Sequence, residues 1–283
     1  MLFAGLLCIS TSGPFFVMAH MDAYAVVLLR MGLSAVLFLA WAAARRELRV
    51  APGELGRLVG GALLLCAHFL LWVKAFDLTD YASNLLLLVA QPVMAAVVSV
   101  RLGERSRRGV GLSLALATGG LLLIAGGDFT LGGRALLGDA MCIVAGVLIT
   151  LYYVVTREAR AGTPLATFMG LTLAIGAVGA APVVALAGAP LVGYPPRSWV
   201  WLGLLVAVTT VAGHGLTNLA ARSVSLFTLN IVIVLEPAIA LALGWWLFDA
   251  TIAPVTVAGG ALLVASVIFG LRPDVQNRRS PKA

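Results

Sequence analysis

Residues Asn230 to Asp249 read NIVIVLEPAIALALGWWLFD, an apolar run long enough to cross a bilayer with Glu236-Pro237 near its midpoint. A charge at the centre of a membrane helix costs about 2.5–3.5 kcal/mol on insertion scales, and such residues face a bundle interior or an aqueous cavity. Pro237 removes a backbone donor and clashes with the preceding turn, which frees carbonyls around Asn230 to Ile233 toward the same cavity. The arrangement occurs twice. Leu85 to Glu104 reads LLLLVAQPVMAAVVSVRLGE, with Gln91-Pro92 in the place of Glu236-Pro237 and Glu104 in the place of Asp249. The offset is 145 residues at each of these positions, the mark of an internal repeat.

The composition fits that reading. Hydrophobic residues make up 61% of the 283 and charged ones 11%, against about 25% charged in a soluble domain. The chain is expected to be a polytopic membrane protein. Its net charge of +7 is carried in short tracts between apolar runs, the pattern of cytoplasmic loops, so nucleic-acid binding is excluded. Cys8, Cys66 and Cys142 lie singly in apolar segments without CxxC pairing, so neither a disulfide framework nor a metal site is expected, nor any cofactor.

At roughly 17–25 apolar residues per span, ten helices are predicted, over 2–20, 23–44, 57–77, 81–102, 109–126, 136–157, 164–188, 199–221, 224–248 and 253–271. The first run lacks the basic n-region of a secretory signal and is needed to complete the first repeat, so it is read as a helix. With the N-terminus cytoplasmic, inner segments collect Arg45, Arg46, Arg49, Arg57, Arg101, Arg105, Arg107, Arg108, Arg157, Arg160, Arg222 and the basic tail; outer loops hold only Arg134 and Arg197. Both termini are therefore expected inside. The predicted organisation is a first five-helix repeat (1–126), an external loop (127–135), a second repeat (136–271) and a cytoplasmic tail (272–283). An odd helix count makes the second copy enter from the opposite side. The fold class is thus all-α integral membrane, ten transmembrane helices in two inverted five-helix repeats, which points to a midplane site between the halves and to alternating access.

These features resemble the EamA-like members of the drug/metabolite transporter superfamily over nearly the whole chain. The matching residues are the two Pro-centred spans with their closing acids (Gln91-Pro92 to Glu104, Glu236-Pro237 to Asp249) and the glycines of the following helices (Gly111, Gly119 and Gly120; Gly259 and Gly260). Leu137-Gly138-Asp139 and Arg30 also look like family positions. The resemblance implies a secondary transporter of a bacterial cytoplasmic membrane, commonly an exporter of amino acids or related metabolites. It also implies a cavity lined by the first, third and fourth helices and by the sixth, eighth and ninth. Two features depart from the pattern: Asp249 stands where Glu is usual, and Leu7-Cys8-Ile9-Ser10 lacks a tryptophan often found there.

Candidate site residues follow from placement in the repeats. His68 and Trp72 are four apart on the third helix, and His214 and Asn218 four apart on the eighth, so each pair shares a face. Each histidine is open to two readings, a cavity group able to change charge near neutral pH or a buried neutral ring bonded to a carbonyl across a helix contact. Glu236 is open to three: proton-coupling carboxylate, ligand for a substrate amine, or anchor for backbone donors beside Pro237. A low-dielectric site disfavours the charged form of any carboxyl group, which suits a proton carrier. Gln91 makes the repeat pair electrically asymmetric. Ser10, Ser12, Asn84 and Asn230 lie beside prolines or at helix starts, either as packing devices or as cavity groups. Of Tyr152 and Tyr153, one is expected to face the cavity, and Tyr152 is put forward. Arg30 either holds the halves together or attracts a substrate carboxylate, Lys74 snorkels to the outer surface, and Glu104 and Asp249 are read as helix-end caps.

The expected function is secondary export of small polar metabolites, most of all amino acids or related compounds, with multidrug efflux of lipophilic cations as the alternative. An enzyme is not expected, because HExxH, GxSxG and paired intramembrane aspartates are missing. A passive channel lacks a repeated ring of ligands. Expected partners are a small-molecule substrate and membrane lipid, with the chain a monomer or homodimer through its glycine-rich helices. In a chain whose native cysteines are replaced by alanine, Arg46→Cys should react with a membrane-impermeant maleimide only after permeabilisation and Arg197→Cys in intact cells. The reverse pattern would overturn the orientation.

Overall fold

The computed structural model describes residues 1–88, 91, 110–128, 132–224, 229, 232, 233 and 235–270. Pro92, Gly103, Glu104, Arg101, Arg105, Arg107, Arg108, Asn230 and the tail over 272–283 lie outside them, as does most of the fourth helix expected over 81–102. Among the described residues regular structure is helical throughout: α1 (Leu2–Ile9), α2 (Ser12–Ala19), α3 (Ala23–Ala44), α4 (Leu55–Ala75), α5 (Tyr81–Leu87), α6 (Val110–Asp128) and α7 (Gly133–Val155). There follow α8 (Arg157–Gly162), α9 (Leu165–Ala187), α10 (Pro196–Leu204) continuing through a π-helical stretch (Leu205–His214) into α11 (Gly215–Ala220), then α12 (Glu236–Phe248) and α13 (Pro254–Gly270). Among the described residues six segments are long and apolar enough to cross a membrane: Leu2–Ala19, Ala23–Ala44, Leu55–Ala75, Gly133–Val155, Leu165–Ala187 and Pro196–Ala220. The chain is a multi-pass helical membrane protein, and large apolar side chains such as Leu37, Val178, Leu186 and Trp246 stay exposed on its outer surface, where lipid solvates them.

The first span is broken where one continuous helix over 2–20 is predicted. Pro14 has no N–H to give to Ser10, and its ring clashes with that carbonyl. The chain turns at Ser10–Thr11, where hydroxyls reinforce the backbone bonds of the turn: Ser10 Oγ donates to Leu6 O (2.8 Å) and Thr11 Oγ1 to Cys8 O (2.7 Å), carbonyls that also accept from Ser10 N and Thr11 N. Aspartates expected near the outer face start helices. Asp22 Oδ1 accepts from Tyr24 N and Ala25 N at the head of α3, and Asp80 Oδ1 from Ala82 N and Ser83 N at the head of α5. Asp249 closes α12 through its backbone, in the left-handed region at φ +52°, where an acid capping the next helix is predicted. A short helix, α8, occupies the expected loop after α7.

Packing joins the two halves of the chain. α3 lies along α9, α4 along α7 and α6 along α13; α1 crosses the π-helical stretch, and α5 meets α12. Close approach demands glycine at two of these crossings. A Cβ on Gly213 would stand 2.9 Å from Ile9 N, and one on Gly120 would stand 2.8 Å from Gly259 O, backbone atoms that cannot move aside cheaply. Gly213→Val should lower the unfolding free energy of the purified protein by about 1–3 kcal/mol, read as a fall in melting temperature, whereas Gly203→Ala, which has nothing within 4 Å, should leave it unchanged.

Candidate functional site

Six helical segments converge on one small cavity. Its polar wall is Ser12 of α2, His68 of α4, Gln91, Tyr153 of α7, His214 at the end of the π-helical stretch, and Glu236 of α12; Ile9, Phe69, Trp72, Leu88, Ile149 and Ile233 complete it. The volume is about 30 Å³, room for water and for nothing larger. Glu236 is the first residue of α12 and Pro237 the second, with a turn at Leu235 before them. The proline therefore starts a helix, where its missing N–H costs nothing. The carboxylate sits at that helix's positive end, a common arrangement in broken membrane helices. Among the described residues it has no hydrogen-bond or ion-pair partner.

Directly behind this wall lies Arg30, 2% exposed. Its Nε donates to Thr210 Oγ1 (2.8 Å), Nη1 to Ser12 Oγ (3.2 Å) and Nη2 to His214 Nε2 (3.1 Å), and the guanidinium stands 4.3 Å from the centre of the Phe69 ring. A guanidinium has no acceptor, so His214 must present its Nε2 lone pair and carry its proton on Nδ1. The π-helical stretch makes this geometry available: Thr210 Oγ1 donates to Leu205 O (3.1 Å), five residues back, while it accepts from Arg30. Neither Thr210 nor Phe69 is distinguished in the sequence, because a threonine or phenylalanine in an apolar helix matches ordinary packing.

His68 has the carbonyl bond of the buried reading and also borders the cavity. Its Nδ1 donates to Ala145 O across the α4–α7 contact (2.8 Å), and the ring, parallel to Trp72 at 6.3 Å, also borders the cavity. Trp72 Nε1 is buried without a partner among the described residues. Four expected cavity residues lie elsewhere. Ser10 is consumed by Leu6 O; Asn84 Nδ2 donates to Trp72 O (3.2 Å), bracing α5 against α4; Tyr152 Oη donates to Asn218 Oδ1 (2.9 Å), and Asn218 Nδ2 to His214 O (2.9 Å). Successive helical residues point about 100° apart, so with Tyr153 on the cavity its neighbour Tyr152 turns into the helix contact. Asn230 lies outside the described residues. Among the described residues no three His, Cys, Asp or Glu side chains converge as a metal site.

Toward the end that the arginine distribution assigns to the outside, rings close the path. Trp72 meets Phe76 at 5.2 Å, Phe76 meets Phe16 at 5.1 Å and Tyr81 at 6.0 Å, and Tyr81 meets Phe248 at 5.1 Å. Tyr81 Oη donates to Ala240 O (2.8 Å) and presses on α12 where Gly244 has no side chain.

A model of the EamA-like transporter family matches residues 1–126 and again 136–272. A protein of Archaeoglobus fulgidus described as an uncharacterized transporter is 27% identical over 201 residues, 71% of each chain. A crystal structure of a protein 19% identical to this chain has the same fold, with a TM-score of 0.74 over 95% of this chain and 94% of its own. Tyr152→Phe, which strands the buried Asn218 Oδ1, should cost about 1–3 kcal/mol of stability in thermal unfolding and leave transport per folded molecule intact, since Tyr152 is off the cavity wall.

Proposed function

The chain belongs to the EamA-like transporter family, and from that premise we propose that it exports small polar metabolites, amino acids or related compounds above all, by alternating access around the cavity at Glu236. The observation that carries this reading is the wall itself: Ser12, His68, Gln91, Tyr153 and His214 set polar atoms around the Glu236 carboxylate, which has no partner among the described residues. Such a lining suits a ligand with its own hydrogen-bonding groups. The cavity is too small for a metabolite as it stands, and rings bar its outer end, so a substrate needs the helices to part. That is the requirement alternating access meets.

The two halves act as inverted repeats in this reading. Its support is the separate family match to each half and the helix pairing. Numbering the predicted spans one to ten, a two-fold axis carries each into the span five later. The pairs second–seventh, fourth–ninth and fifth–tenth then map onto themselves, and first–eighth exchanges with third–sixth; those are the pairs that pack. Glu236 serves as the proton-coupling group, with Gln91 its neutral counterpart. The chain lies in a bacterial cytoplasmic membrane with both termini inside, as the arginine distribution supports, and works as a monomer or homodimer. Aromatic faces at Phe69, Trp72 and Tyr153 beside the acid favour the second reading, efflux of lipophilic cations.

Counterflow in proteoliposomes separates the two. Preloaded unlabelled amino acids should stimulate uptake of the labelled compound, and stimulation by lipophilic cations alone would transfer the assignment to drug efflux. Glu236→Gln should abolish the response of transport to an imposed pH gradient while counterflow persists; full, gradient-driven transport in that variant would remove the coupling role.

A further inference from the structure

A second, larger cavity lies on the far side of Tyr153. It holds about 300 Å³ and is bordered by Arg57, Arg157, Arg160 and Glu158, with Tyr153 and Leu229 toward the interior. Tyr153 is common to both cavities, and Leu229 lies one turn before Ile233 of the central one. The segments that supply it, the head of α4, α8 and the stretch after α11, share the end assigned to the cytoplasm.

Arg57 pairs with Glu54 at 2.6 Å and with Glu158 at 2.5 Å. Arg160 is 3% exposed, and among the described residues no carboxylate lies within ion-pair distance of it. Its Nη1 donates to Thr156 Oγ1 (3.0 Å) and its Nη2 to Tyr153 O (3.3 Å), neutral acceptors both, while the buried Nε has no partner among the described residues. Burial, together with the positive charges of Arg222 and Arg157, holds the guanidinium below its ordinary value. A bound anion relieves both penalties.

We propose that this vestibule is an oxyanion site, in which Arg160 with Arg157 receives a carboxylate or phosphate group at the inner mouth, one residue away from the central cavity. The site goes beyond the transport reading and rests on it only for the direction a ligand then takes. Binding is measured without transport, so failure of one is told apart from failure of the other.

The test is calorimetric titration of the full chain in phosphatidylcholine nanodiscs with inorganic phosphate and with succinate at constant ionic strength. Saturable binding is expected, weakened about tenfold or more in Arg160→Gln. Absence of saturation, or equal affinity in a folded variant, overturns the proposal. Should the variant not fold, phenylglyoxal modification of the wild-type protein decides: phosphate should protect Arg157 and Arg160 but not Arg45, and equal rates with and without phosphate refute the site. Repeating the titration with phosphatidylglycerol in the disc identifies the source. A weaker apparent affinity means that a lipid headgroup competes for the site, and an unchanged one assigns it to soluble anions.

Discussion

A guanidinium enclosed in the middle of a membrane protein is the constraint on which the rest of this structure turns. Out of water, a cation is tolerated only where it is answered by acceptors or an aromatic face. Each of Arg30's three nitrogens has an acceptor without a carboxylate in contact, Thr210, Ser12 and His214, and its face lies on Phe69. The acceptors come from both halves of the chain. Arg30 thereby ties α2 and α3 to the π-helical stretch, sets the tautomer of His214 and aims two polar side chains at the cavity wall. Its role is to position, from one layer behind the site.

Interrupted backbone supplies the wall. Pro14 and Pro237 each begin a half-helix close to the cavity, and each leaves a neighbouring turn whose groups must be answered locally. At the first break Ser10 and Thr11 answer them from within, and Thr11 Oγ1 also meets Thr209 Oγ1 at 2.6 Å across the contact with the π-helical stretch. At the second, Glu236 is carried at the start of α12, facing the wall beside Ile233. Hydroxyl-rich turns and a widened helix are unfavourable features individually. Here they occur where helices from opposite halves meet and can satisfy one another.

The conformation is closed at the centre. Aromatic packing from Trp72 to Phe248 covers one end of the cavity and Tyr153 the other, with the basic vestibule beyond it. Trp72 and Tyr153 each belong to two of these layers, so a movement of either α4 or α7 alters the seal and the site together. α4 and α7 pack along one another, and His68 Nδ1 bonded to Ala145 O couples them. In the transport cycle proposed above, that coupling makes the relative motion of α4 and α7 the opening event.

The helical class, the positions of most helices and the placement of an acid beside Pro237 were all legible in the sequence, because hydropathy, charge asymmetry and proline act locally or through the lipid solvent. The repeat pointed to Gln91 and Glu236, 145 residues apart, and to His68 and His214 in matching places 146 apart, all four of which border the cavity. What periodicity does not carry is which way a side chain turns once a second helix arrives. Ser10, Asn84, Tyr152 and Asn218 are as polar as Ser12 and Tyr153, yet Ser10 is consumed by a carbonyl one turn back in its own helix, and the other three by partners that only packing brings near. The π-helical stretch was equally hidden, since Thr210 within it answers Arg30 from far along the chain, as Thr209 answers Thr11 at the break after Ser10. Sequence determined the class of the protein and the acid at its centre; tertiary structure decided which polar groups stand free at the cavity and which are spent holding it together, because a hydroxyl or amide in a membrane is defined by the partner it finds.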